Sequence, residues 1–207
     1  DKFVCEHYNA FTQFEAVVKN LPSGVHKLSV LVDNSFSEAS ALHVENDYQS
    51  YGGISRGVMI EQLPKHYIKQ LHFTPVCKDD TWYAQLELVI ASLDGKPWKG
   101  KVSVSLKGCD DVNENVLYTQ SCSTGAGELV LKSDMIACKN AKPWAPEHPT
   151  LYMLSAQLED EDGKVIDDLT DRVGFREVRT QGKDILLNGK KLQIKGFRRH
   201  EDHPQRG

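Results

Sequence analysis

The clearest pattern in the chain is the alternation over residues 82–92, where Trp82, Ala84, Leu86, Leu88 and Ile90 share one face. A period of two is that of a strand buried on one side. Residues 27–33 follow the same rule, with Leu28, Val30 and Val32 together after a Leu21-Pro22-Ser23-Gly24 turn. Residues 58–61, 66–75, 101–106, 128–131, 151–158 and 172–179 predict further short strands. Asp79-Asp80, Asp94-Gly95 and Glu161-Asp162-Gly163 supply turns between them, and helical periodicity is nearly absent. Near the C-terminus, Ile185-Leu186-Leu187 and Leu192-Gln193-Ile194 flank Asn188-Gly189, a strong hairpin signal because both turn residues tolerate positive φ. Strands at this spacing predict an all-β protein, with an antiparallel sandwich of about seven strands over residues 65–178. Pro64 marks a candidate boundary before it. Residues 33–47 form a long polar connection, a kind of segment that often carries function.

Composition narrows the class without naming a function. The 207 residues suffice for one large or two ordinary domains, and 40% apolar with 26% charged residues is a globular balance. A net charge of −4 offers no electrostatic footprint for nucleic acid or an anionic membrane, and no apolar run approaches a spanning length. Residues 1–9 show no signal peptide, although a chain that starts in mid-domain would not. The five cysteines, Cys5, Cys77, Cys109, Cys122 and Cys138, include no Cys-x-x-Cys pair. Their odd number and spacing point to reduced, mostly structural thiols in a cytoplasmic protein.

Chemistry concentrates after the hairpin. Beyond Gly196, Arg198, Arg199, His200, Glu201, Asp202 and His203 place six ionisable groups in six residues. Such a cluster is a solvated rim or the wall of a binding site, since ligand-contacting groups collect at strand ends. Glu201 and Asp202 suggest a catalytic carboxylate pair, but neighbours on a strand point to opposite faces and cannot converge on one bond. His200 and His203 lack the helical i, i+4 spacing of zinc hydrolases, so no metal site is assigned. Trp82, Trp98 and Trp144 are candidates for stacking on sugars, though within a sandwich such residues more often pack.

These stretches carry a resemblance. Leu187-Asn188-Gly189-Lys190 followed by Lys195-Gly196-Phe197-Arg198-Arg199-His200-Glu201-Asp202-His203-Pro204 is similar to the pattern of glycoside hydrolase family 2, which holds β-galactosidases, β-glucuronidases and β-mannosidases. Trp144-Ala145-Pro146-Glu147-His148-Pro149 and Val173-Gly174-Phe175-Arg176 resemble further motifs of that family in the right order. So do residues 47–56, ending Gly52-Gly53-Ile54-Ser55-Arg56, and residues 7–15. The resemblance implies a part of a longer protein. Residues 1–64 would be the end of a sugar-binding jelly roll, 65–178 an immunoglobulin-like β-sandwich, and 179–207 the leading hairpin and first strand of a (β/α)8 barrel.

The resemblance also assigns roles. His200 would end the first barrel strand and hydrogen-bond hydroxyls of the bound sugar, as a neutral imidazole can both donate and accept. Asp47 would reach from the jelly roll to accept from sugar hydroxyls. Arg56 is expected as an ion-pair partner holding domains in register, with Glu201 and Asp202 pairing structurally to Arg56, Arg198 or Arg199. Where the family has Val-Asn, this chain has Phe197-Arg198. An arginine there suits an anionic sugar, or else an interdomain ion pair. Both catalytic carboxylates of the family's retaining mechanism, held about 5–5.5 Å apart, would lie beyond Gly207. The expected function is therefore part of a retaining exo-β-glycosidase acting on β-galactosides or β-glucuronides, the chain alone being inactive. The other readings are a non-catalytic sandwich module and a free-standing sugar-binding protein. The expected partner is a carbohydrate substrate, and family practice makes a homo-oligomeric parent the expectation. No cofactor is expected in the chain itself, although some family β-galactosidases use Mg²⁺ and Na⁺, which places a hard cation near Asp47 among the expectations for the parent.

Overall fold

A computed structural model describes residues 2–9, 12–35, 52–54, 56–108, 114–125 and 127–198. Contacts divide the chain into two units, residues 1–61 with 195–207 and residues 62–194, and each is described by itself.

The second unit grows from the hairpin of β1 (His66–Lys78) and β2 (Thr81–Ser92). Asp79 and Asp80 turn it at φ +48° and +57°, a left-handed pair that Asp tolerates and that matches strand twist. Next come β3 (Trp98–Gly108), β4 (Asn115–Thr124), β5 (Glu128–Lys132), the two-residue β6 (Ile136–Ala137), β7 (Tyr152–Asp160) and β8 (Val165–Val173). One sheet has the order β1-β2-β5, with β6 also pairing β2, and the other runs β4-β3-β7-β8. Every pairing between these strands is antiparallel. The fold is a β-sandwich, as the alternation predicts, and immunoglobulin-like, as the family resemblance implies.

The core lies between β2 on one sheet and β3 and β7 on the other. Leu86, Leu88 and Ile90 meet Val102, Val104, Leu154 and Leu158, all fully buried. Each such side chain contributes about 1.5–3 kcal/mol by leaving water. The edge of β1 is tied across the sandwich. At the β-bulge between Ile68 and Gln70, the Ile68 amide donates to the Asp167 carboxylate of β8 at 2.7 Å. Cys122 and Cys138 are free thiols, and burial pushes both thiols up, away from nucleophilic thiolate.

Gly100 shows how tight the packing of β3 is. A Cβ there would collide with the indole of Trp98 and the backbone carbonyl of Glu159. Backbone cannot yield as a flexible side chain can. Gly100→Ala is expected to destabilise the sandwich by about 1–3 kcal/mol, read as a lower urea midpoint. An unchanged midpoint would mean that the Trp98 indole and the β7 backbone at Glu159 both shift at no cost.

A third small sheet, β11-β10-β9, follows from β9 (Val178–Gln181), β10 (Asp184–Leu187) and β11 (Lys190–Lys191). Asn188 and Gly189 turn β10 into β11 at φ +49° and +76°, as the Asn-Gly signal predicts. The returning ladder stops at Lys191, after which the Leu192 amide still donates to the Ile185 carbonyl at 2.8 Å.

Four segments depart from the sequence expectations. The stretch predicted as one strand over 172–179 is split, because Phe175 turns into the core and interrupts it between β8 and β9. Strand β4 carries too few alternating apolar residues to be noticed. It is an edge strand, and of its described side chains only Cys122 is buried. In the first unit, the described residues of 27–33 and 58–61 form no strand, and Leu28, Val30 and Val32 are exposed. Alternation signals a face that wants covering, whereas a strand also needs a paired neighbour. No helix among the described residues is long and apolar enough to cross a membrane.

Candidate functional site

Of the residues expected to contact sugar, Asp47 and His200 lie outside the described residues, as do Glu201 and Asp202. Arg56 and Arg198 are described, both in the first unit and both exposed. Among the described residues, no ion pair involves either of them. Phe197 beside Arg198 is 90% exposed, so the Phe-Arg pair that departs from the family pattern stands in solvent within its unit. Arg56 follows the glycine pair, whose backbone explains its composition. Gly53 adopts φ +130°, and a Cβ on Gly52 would come within 3.0 Å of the Asn34 carboxamide. Only glycine meets both demands without strain.

The motifs of the second unit converge on one clasp at the end of the sandwich. Phe175 is fully buried, with edge-on rings of Tyr152 and Phe73 each at 5.2 Å and of Trp82 at 5.8 Å. Its carbonyl accepts from the Trp144 amide at 2.9 Å, and Arg176 lays its guanidinium 5.2 Å from the centre of the Trp144 ring. Gly174 leaves room for this approach, since a Cβ would meet the Trp144 Cβ at 3.2 Å. Asn188 closes the clasp. Its Oδ1 accepts from the Glu177 amide at 2.9 Å, its Nδ2 donates to the Trp144 carbonyl at 2.9 Å, and its own amide donates to the Glu177 carbonyl at 2.8 Å. Tyr152 adds a last tie, its hydroxyl accepting from the Lys142 amide at 2.8 Å.

The sequence marks these residues only as separate motifs and shows Asn188 only as a turn former. The missing signal is chemical. An Asn-Gly turn works equally well as Asp-Gly, but the Asn carboxamide can accept and donate at once, whereas an Asp carboxylate only accepts. The tryptophans are likewise placed. Trp82 is in the core against Phe175, Trp98 stacks on His66 at 5.6 Å, and Trp144 carries Arg176. None stands open as a sugar platform.

A surface depression of about 570 Å³ runs along β3, β4 and β7 and is lined by Lys99, Lys101, Ser121, Ser123 and Glu159 among others. Lys101 and Glu159 pair across it at 2.8 Å, and no aromatic side chain lines it. It therefore lacks the ring face on which sugars stack. Among the described residues no three His, Cys, Asp or Glu side chains gather as metal ligands.

Comparison with known proteins agrees with this frame. The sequence model of Glycosyl hydrolases family 2 matches residues 66–176. The solved β-galacturonidase of that family from Eisenbergiella tayi, bound to galacturonate, is 48% identical over 98% of this chain, with a TM-score of 0.85. A second β-galacturonidase structure from the same organism, bound to glycerol, is 46% identical over 84% of the chain, with a TM-score of 0.71. These alignments cover 35% and 29% of the two solved chains. Beta-galactosidase BgaC of Bifidobacterium adolescentis is 30% identical over 190 residues, which is 90% of this chain and 17% of that protein. The chain spans between 17% and 22% of the curated relatives it matches. With the family model matching residues 66–176, more than half of its length, the chain belongs to glycosyl hydrolases family 2.

Proposed function

We propose that the protein containing this chain hydrolyses terminal β-linked uronic acids, galacturonides first, as a retaining exo-glycosidase. The observation that carries this reading is Arg198, an exposed cation two residues before His200, at a position where the family pattern has a neutral asparagine. A guanidinium matches a carboxylate with two parallel hydrogen bonds, which a neutral amide cannot do. The 48% identity to a β-galacturonidase, against 30% to a β-galactosidase, supports the same choice. In this reading His200 and Asp47 hold the sugar hydroxyls. The nucleophile and the acid/base are carboxylates further along the barrel, about 5–5.5 Å apart. The chain contributes walls of the site and the scaffold that carries them, and is inert alone.

The test is a panel of nitrophenyl β-glycosides with the full-length protein. Turnover is expected on the galacturonide, then the glucuronide, and weakly on the galactoside. Higher kcat/KM on the galactoside than on either uronide would overturn the uronide reading in favour of a β-galactosidase. Hydrolysis of any of them by residues 1–207 alone would overturn the location of the catalytic carboxylates.

A further inference from the structure

We propose that Asn188 is a deamidation site that the fold holds unreactive, and that its conversion unfastens the turn for good. Asn188 is the only asparagine in the sequence followed by glycine. Glycine carries no side chain to shield its backbone nitrogen, so in an unfolded chain this pair is open to attack within itself. The reaction needs only water. The Gly189 nitrogen gives its proton to solvent base and bonds to Asn188 Cγ. The Cγ–Nδ2 bond breaks and Nδ2 leaves as ammonia, closing a cyclic succinimide. A water molecule then opens the ring at either carbonyl, leaving aspartate or isoaspartate and one added negative charge.

Two features of the structure oppose ring closure. The first is the backbone. Asn188 has φ +49°, where an L residue is confined to ψ of about +30 to +60°. That ψ puts the Gly189 nitrogen on the far side of the Cα–C bond from Cβ, where it cannot reach Cγ. The peptide plane has to turn over first, which the pairing of Leu187 with Lys190 across the turn resists. The second is the side chain. Its Oδ1 accepts from the Glu177 amide and its Nδ2 donates to the Trp144 carbonyl, each at 2.9 Å. Swinging Cγ onto the Gly189 nitrogen gives up both bonds. Once formed, neither product restores these contacts. An aspartate carboxylate has no hydrogen for the Trp144 carbonyl and sets charge against it. Isoaspartate adds a methylene to the backbone and lengthens the turn. The ladder of β11 is only two residues long, so the hairpin has little else to hold it closed. The site therefore turns a transient opening of the hairpin into a permanent change.

The experiment ages the full-length protein in buffer and, unfolded, in urea at the same pH and temperature. Conversion of Asn188 is followed by peptide mass and by isoaspartyl-specific methylation. The folded protein is expected to deamidate there at least about tenfold more slowly, the factor set by a local opening of about 1.4 kcal/mol. Hydrogen exchange at the Glu177 amide, which donates to Oδ1, measures the same opening independently. Slowing at least as large as the protection of that amide supports the proposal. Smaller slowing, or equal rates in buffer and urea, would show that the carboxamide reacts while clasped, and the proposal would fall. The aged form is separable by its added charge. Its Leu192 amide, which donates to the Ile185 carbonyl, should exchange faster than in fresh protein, with amides of β2 and β7 unchanged. Equal Leu192 exchange in the two forms would show that conversion leaves the turn fastened, against the second half of the proposal.

Discussion

Replacing Phe175 with alanine is expected to cost the sandwich about 3–5 kcal/mol, the upper range for truncating a buried aromatic. The ring is fully buried and meets three others, Phe73, Trp82 and Tyr152, in edge-to-face geometry. Such pairs add about 0.5–1.5 kcal/mol beyond the area they bury. The void left behind would be walled by strands of both sheets. The walls include β1, β2 and β7, whose own ladders restrict collapse. Phe175 also lies outside any regular strand, so its position is held by packing and by its carbonyl bond to Trp144. Loss of the ring should therefore loosen the clasp as well as the core. Hydrogen exchange of the β2 and β3 amides, which open only with the whole sandwich, measures the cost. Phe175→Leu keeps most of the volume and should cost less than half as much. A Phe175→Ala penalty below about 1 kcal/mol would mean that the site repacks, which contradicts its role as the junction of core and clasp.

How much of this was legible beforehand depends on the physics behind each element. The β2 alternation was plain, because five apolar residues at period two fix which face is buried, and all five are buried in the structure. The hairpin turns at Asp79-Asp80 and Asn188-Gly189 were legible because positive φ restricts residue choice. Strand β4 was not, because an edge strand with one covered face needs few apolar residues. Nor was the break at Phe175. Nothing in the residue pattern of 172–179 marks the place where burial of Phe175 separates β8 from β9. The clasp was hidden for another reason. It is built from hydrogen bonds between side chain and backbone at separations of 11 and 44 residues, which no local pattern encodes. The sugar-contacting roles expected of Asp47 and His200 rest on resemblance alone, and both residues lie outside the described residues.

Arg198→Asn restores the family's neutral residue at the position that sets this chain apart, and is expected to reduce kcat/KM on nitrophenyl β-galacturonide ten- to a hundredfold. The magnitude follows from losing a hydrogen bond to a charged group, about 1.5–3 kcal/mol, at about 1.4 kcal/mol per tenfold in rate. Activity on the galactoside should change little, since a hydroxymethyl group gives the guanidinium no charge to answer. The contrast between substrates carries the test. Arg198 is exposed within its unit, so its removal leaves no buried partner unsatisfied there and should not lower stability. A general loss on both substrates would instead place Arg198 in a structural ion pair, with Glu201 or Asp202 as the nearest carboxylates in sequence. The remedy for that outcome is specific too. Arg198→Lys retains the charge but not the planar fork, and should recover a structural pair more fully than it recovers bidentate recognition of a uronate. Recovery of galacturonide turnover by lysine to wild-type levels would show that position 198 supplies only charge to the site.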